Sequence, residues 1–120
     1  MKRITVGTWI TTYSLSALDL ISKSGFDWIC IDMEHSSITL DQLQNLLNVL
    51  DKNRSNSFVR VSENNKTEIK KVLDLGAKGV IVPMVNTATQ AENAIKSTKV
   101  VSDLLSEDPK QAKEGQKLLQ

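Results

Sequence analysis

The sequence predicts an α/β fold built on a parallel sheet, and three observations carry that expectation. Strand-like and helix-like segments alternate four times over the first hundred residues, at roughly 20–30 residues per unit, the rhythm of right-handed βαβ units. Two of the strand segments, Trp28–Ile31 and 79–85 (GVIVPMV), are unbroken apolar runs. Such runs belong to strands buried on both faces. Between the strands lie helical stripes bounded by capping and glycine signals.

The elements follow in order. Residues 4–10, ITVGTWI, read as a first strand, with Gly7 marking a close backbone approach. Ser16 is expected to cap a short helix carrying Leu18, Leu20 and Ile21 that stops near Gly25. The central strand is expected over 26–34. Thr39 with Gln42 three residues on is a capping-box pattern. It opens a helix whose Leu40, Leu43, Leu46, Leu47 and Leu50 share one stripe. Residues 57–62, SFVRVS, form the third strand, and Asn64 or Asn65 starts a helix through Ile69, Val72 and Leu73 to Gly76. The fourth strand spans 79–85, with Pro83 suited to an edge or a bulge. Thr87 or Thr89 opens a fourth helix through Ala91, Ala94 and Ile95. Val100, Val101, Leu104 and Leu105 are able to continue it. The organisation expected is a folded region over 1–99 and a divergent, weakly docked tail over 100–120, because 106–117 is almost devoid of apolar residues.

The chain of 120 residues suits one domain, and its 15 Lys and Arg against 14 Asp and Glu leave a net charge of +1. Without a clustered basic excess, neither nucleic acid nor an anionic membrane is expected as a partner. No apolar run approaches the ~20 residues of a membrane span, and the threonines of the first dozen residues break any signal-peptide core. The lone Cys30 allows no internal disulfide or cysteine metal cluster. A cytoplasmic, reducing location is therefore expected.

Functional attention falls on the end of the central strand. There the apolar run turns abruptly into Asp32, Glu34 and His35. Ionisable groups at the carboxyl end of a buried strand are costly unless paired or used, and in parallel α/β folds ligands bind at that end. The competing reading is a satisfied polar strand end leading into a helix cap. Arg60 lies inside an apolar strand between Val59 and Val61 and needs an anion or an acidic partner. Asp74 falls in the last turn of its helix, where an acid opposes the helix dipole. It is either solvated or held by a partner elsewhere.

GFDWICIDMEH at 25–35, VRV around Arg60, IKKVLDLGAKGVIVPMV at 69–85 and the following TATQAENAIKSTK together resemble the HpcH/HpaI aldolase family, over roughly residues 4–99. Gly7-Thr8-Trp9 is similar to the end of that family's first strand. The resemblance implies the first half of a TIM (β/α)8 barrel within a homo-oligomer. It implies a class II pyruvate aldolase, a carbon–carbon lyase that cleaves 4-hydroxy-2-oxo acids to pyruvate and an aldehyde with a divalent metal (Mg, Mn or Co). By the same resemblance His35 is the proton-handling catalytic histidine and Asp74 the acid that pairs with it. Arg60 binds the enolate oxygen of pyruvate, Trp9 lines the substrate site, and Asp32 sits beside the metal without binding it. The sequence departs from the family in two places. Ser36-Ser37 replaces a Gly-Pro or Ala-Pro after the histidine. Nothing in 100–120 matches the strands that carry the metal-binding glutamate and aspartate, and Glu107 with Asp108 is a poor substitute in a polar tail. Three readings follow: an aldolase-family chain; a truncated, non-catalytic remnant that serves as a binding or oligomerising module; or an unrelated doubly wound α/β binding domain. Convergence of His35, Arg60 and Asp74 on one strand-end cleft separates the first from the third.

Overall fold

The computed structural model describes residues 2–104, with side-chain burial through Lys99. It contains β1 (Gly7–Ile10), α1 (Leu15–Ser22), β2 (Trp28–Asp32), α2 (Leu40–Lys52), β3 (Asn56–Arg60), α3 (Lys66–Asp74), β4 (Gly79–Ile81) and α4 (Ala88–Leu104). The four strands form one parallel sheet in the order β1-β2-β3-β4.

Each helix starts where a side chain can take up a free backbone N–H. Ser14, not Ser16, caps α1, its Oγ accepting from the N–H of Ala17 at 3.2 Å. Thr39 and Gln42 form the expected capping box on α2. Asn65 caps α3, and the Thr87 hydroxyl accepts from Gln90 N–H at 3.1 Å before α4. Gly76 closes α3 with a φ of 110°, a left-handed turn that costs an L side chain strain.

The strands are shorter than the apolar runs. Residues 4–6 ahead of β1 and 82–85 beyond β4 fall outside the ladders, and Met84, with a φ of 57°, turns the chain away after β4. β2 ends at Asp32, so the alternation of faces does not extend to Glu34 and His35. α4 does continue past Lys99 to Leu104. The 106–120 segment lies outside the described residues.

The two faces of the sheet differ. Ile10, Ile29, Ile31 and Val59 face the helices and are buried with Leu43, Leu46, Leu47 and Leu50 of α2 and Ile69 and Val72 of α3. Burying a leucine fully contributes about 1.5–3 kcal/mol, which is why the α2 stripe anchors this layer. The register places Gly7, Trp9, Trp28, Cys30, Asp32, Phe58, Arg60 and Gly79 on the opposite face. Cys30 is buried there, as a small hydrophobe. Trp28 and Phe58 meet edge to face at 6.4 Å. A Cβ on Gly7 would fall 1.8 Å from the Trp28 ring, so the glycine is what lets that ring lie over β1. A doubly wound sheet carries helices on both faces; here consecutive parallel strands carry them on one, the arrangement of a (β/α)8 barrel.

Two substitutions test this layering. Leu46→Ala should cost about 2–5 kcal/mol in urea unfolding, since Leu46 is fully buried in the helix-side core. Gly7→Ala should displace the Trp28 ring and change its near-UV circular dichroism, while leaving far-UV helix content intact.

Candidate functional site

β2 and β3 lie in register with Asp32 opposite Arg60, at the carboxyl ends of both strands. Asp32 is 2% exposed, so its charge requires a partner. Arg60 supplies a forked one: Nε donates to Oδ1 at 3.0 Å and Nη2 to Oδ2 at 2.5 Å. The backbone N–H groups of Glu34 and His35 also donate to Asp32 Oδ1, at 2.9 and 3.2 Å. These bonds turn the chain sharply after β2, and the Ser36 hydroxyl donates to the Asp32 carbonyl to complete the bend. Ser36 therefore closes a tight turn with its side chain, also accepting from Ile38 N–H at 3.2 Å.

The Arg60 guanidinium holds the Asp32 carboxyl well below the usual carboxylate range, at about 2, and the two N–H groups add to this against the cost of burial. Asp32 in turn raises the affinity of Arg60 for its proton. The guanidinium carbon lies 4.7 Å from the centre of the Trp9 ring, a cation–π contact across β1, β2 and β3. The third nitrogen, Nη1, is 3.4 Å from Glu34 Oε1. The same oxygen is 3.2 Å from His35 Nε2. Glu34 thus bridges the arginine and the histidine. Of the residues expected, Trp9, Asp32, Arg60 and His35 come together at one edge, with His35 74% exposed at the rim. Glu34 is the member that sequence reasoning did not assign. Its signal was its place between Asp32 and His35, but a one-residue neighbour says nothing of direction once a strand has ended.

Asp74 is not brought to His35 within the chain. It ends α3, which runs back against the strands and leads through Leu75–Lys78 to the start of β4. It is exposed there. It lines an outer groove of about 240 Å³ with Leu40, Asp41, Gln44, Lys71 and Leu75, between α2 and α3. No described hydrogen bond or ion pair joins Asp74 to His35 within the chain.

Chain-wide comparison adds the family. The model of the HpcH/HpaI aldolase/citrate lyase family matches residues 5–108. The chain belongs to this family. It is similar, at 36% identity over 94 residues, to the 2-keto-3-deoxy-L-rhamnonate aldolase of Klebsiella pneumoniae, a match covering 78% of this chain and 35% of that one. The 2-dehydro-3,6-dideoxy-6-sulfogluconate aldolase of Pseudomonas putida is likewise 36% identical over 78% of this chain and 37% of its own. A solved HpcH/HpaI aldolase/citrate lyase family protein from Burkholderia cenocepacia superposes with a TM-score of 0.77 at 28% identity, over 89% of this chain and 40% of that one. This HpcH/HpaI chain therefore spans about a third of the length of the curated relatives it matches, and its fold is that of the TIM-barrel-type members.

The family implies a divalent metal, and the described residues do not fit one. No group of three His, Cys, Asp or Glu among them is arranged to hold an ion. Both Asp32 oxygens are taken up by Arg60 and by backbone N–H groups. Among the described residues no helix is long and apolar enough to cross a membrane.

A group whose folded pKa is depressed stabilises the fold above its unfolded value and loses that contribution as pH falls towards the folded one. For Asp32 the window runs from about 4 down to about 2. Acid unfolding should therefore steepen across that window, and Asp32→Asn should flatten it while lowering stability at pH 7 by about 1–3 kcal/mol. Unfolding midpoints measured by circular dichroism from pH 2 to 7 check both.

Proposed function

We propose that this chain carries the anion-binding and proton-handling part of a pyruvate aldolase site, and that on its own it binds a small 2-oxo acid such as pyruvate rather than turning over a 4-hydroxy-2-oxo acid. The observation that supports this is the held guanidinium of Arg60. Asp32 fixes two of its nitrogens and Trp9 backs its face, so Nη1 is oriented towards the open mouth without a side-chain search. A preorganised donor of this kind suits the carboxylate or the enolate oxygen of a 2-oxo acid. Glu34 occupies the position facing Nη1 and would swing aside as the ligand arrives, carrying its contact with His35 along.

His35 is the residue proposed to move a proton at the substrate, since its imidazole lies beside the Glu34 carboxylate and reaches solvent. Aldol cleavage in this family relies on a divalent metal, and the donor set described above is wrong for one. That favours binding over turnover in this chain, the remnant reading of its sequence. The aldehyde partner and the 4-hydroxy-2-oxo acid belong to the proposal for the whole family site. Asp74, which no described hydrogen bond or ion pair joins to His35 in one chain, would serve it from another copy of the chain.

Pyruvate titrated into the chain should shift the Trp9 and His35 resonances in NMR spectra. Arg60→Lys should weaken binding about 10–100-fold, the loss of a forked, charge-assisted hydrogen bond. Binding unchanged in Arg60→Lys would remove Arg60 from the site. Exchange of the pyruvate methyl protons for deuterium should stay at the solvent rate with or without Mg²⁺ or Mn²⁺. Metal-dependent exchange lost in His35→Ala would instead show a complete site.

A further inference from the structure

Among the described residues the sheet ends in two open edges that fit one another. We infer that two copies of the 120-residue chain close a single eight-stranded barrel, β4 of each pairing with the extended segment ahead of and within β1 of the other. A two-fold axis along the barrel would relate the copies, so all eight strands stay parallel.

The register supports this beyond the strand count. An eight-stranded (β/α) barrel has a shear of about eight residues, so symmetry assigns about four to each of the two seams. Within the chain Trp9, Cys30, Phe58 and Gly79 lie in one row. Moving four residues in one direction sets Gly79 opposite Thr5 of the second copy, Val80 opposite its Val6 and Ile81 opposite its Gly7. Moving the other way sets Gly79 opposite Tyr13, outside the strand and next to the α1 cap, so only the first closes. The first choice uses residues 4–6 and Val82, which belong to no ladder in one chain. Backbone directions agree. Val6 exchanges hydrogen bonds with Asp27 on the β2 side, its carbonyl accepting from Asp27 N–H and its N–H donating to the carboxylate. By alternation Thr5 and Gly7 turn theirs to the open edge. The Ile81 carbonyl accepts from Val61 N–H on the β3 side. Val80 therefore faces the other edge, where it can bond to Thr5 and Gly7 of the second copy.

Side chains at both seams are apolar and uncovered. Ile4 and Val6 are 84% and 57% exposed beside β1, and Val85 and Met84 are exposed beyond β4. On α1, Asp19 and Ser22 face α2 through Asn53. The flank turned away carries Ala17 and Leu20, with Leu20 69% exposed. At the other end of the layer α4 leaves Ile95 52% exposed. Closing the barrel would bring α1 of one copy beside α4 of the other. The chain's own 106–117 segment is a poor substitute, since Ala112 is its one aliphatic side chain. A net charge of +1 per copy opposes association little. The closed barrel would place the Trp9–Asp32–Arg60 clusters of both copies around one mouth and cover the Trp28 and Phe58 face.

Light scattering of the purified chain should give twice its mass of 13.3 kDa. In the double variant Val6→Cys with Val80→Cys, a short bifunctional maleimide should join two chains at the seam, and mixed single variants should give the same covalent pair. Cys30 stays out of this reaction, being buried with its thiol pushed up to about 11. Leu20→Glu with Ile95→Glu, both at exposed positions, should weaken the dimer at least tenfold with the helix content unchanged. A monomer at micromolar concentration overturns the inference, whether or not some other protein then binds it. So does a dimer in which only single chains become cross-linked, or a polydisperse aggregate.

Discussion

The pairing of Asp32 with Arg60 is the constraint on which the open end of this structure depends. Neither side chain belongs where it is by itself: a carboxylate 2% exposed and a guanidinium at the end of a buried strand each need the other. The β2–β3 register sets them opposite one another, and their forked hydrogen bonds pin that register in turn. The spare capacity of Asp32 then folds the chain back over Glu34 and His35, and the spare face of Arg60 rests on Trp9. One ion pair thus ties three strands and the following turn into a single unit.

Behind that unit the sheet divides its labour by face. The helix side is a closed aliphatic layer in which the α2 leucines meet alternate residues of the strands. The other side holds two aromatic rings that lie over glycines of the neighbouring strands, Trp28 over Gly7 and Phe58 over Gly79. Such rings fill the inside of a barrel from one wall. Among the described residues four strands leave that filling half covered and backbone groups along the outer edges of β1 and β4 outside any ladder. The closed aliphatic core lies on the helix side, whereas Trp9, Asp32 and Arg60 lie on the other.

On the reading proposed above the strand ends handle an anion and a proton, and the metal the family implies finds no donor set among the described residues. An oriented arginine, a rim histidine and a bridging glutamate can receive an anion and exchange a proton. They do not make up an oxygen-rich cation site, because the one deeply buried carboxylate is already neutralised. The relatives named above are aldolases about three times as long as the matched region.

The sequence by itself determined the local elements and the class of fold. Capping signals at Thr39 and Gln42, the leucine stripe of α2 and the apolar runs of β2 and β4 act within a few residues of one another, so they are legible in one dimension. It also marked Asp32, His35 and Arg60, because charge beside an apolar run is conspicuous in any order of reading. What it could not fix was distance between segments. Ser14 rather than Ser16 caps α1 because the chain direction out of β1 decides where the first turn begins. Ladders stop at Ile10 and Ile81, bounds set by where two strands stay side by side and not by the residues of either one. Glu34 bridges Arg60 and His35 only because Asp32 bends the chain after the strand ends. Asp74 lines a groove between α2 and α3 with Leu40 and Asp41, a neighbourhood set by how the two helices pack and so a property of the tertiary structure alone.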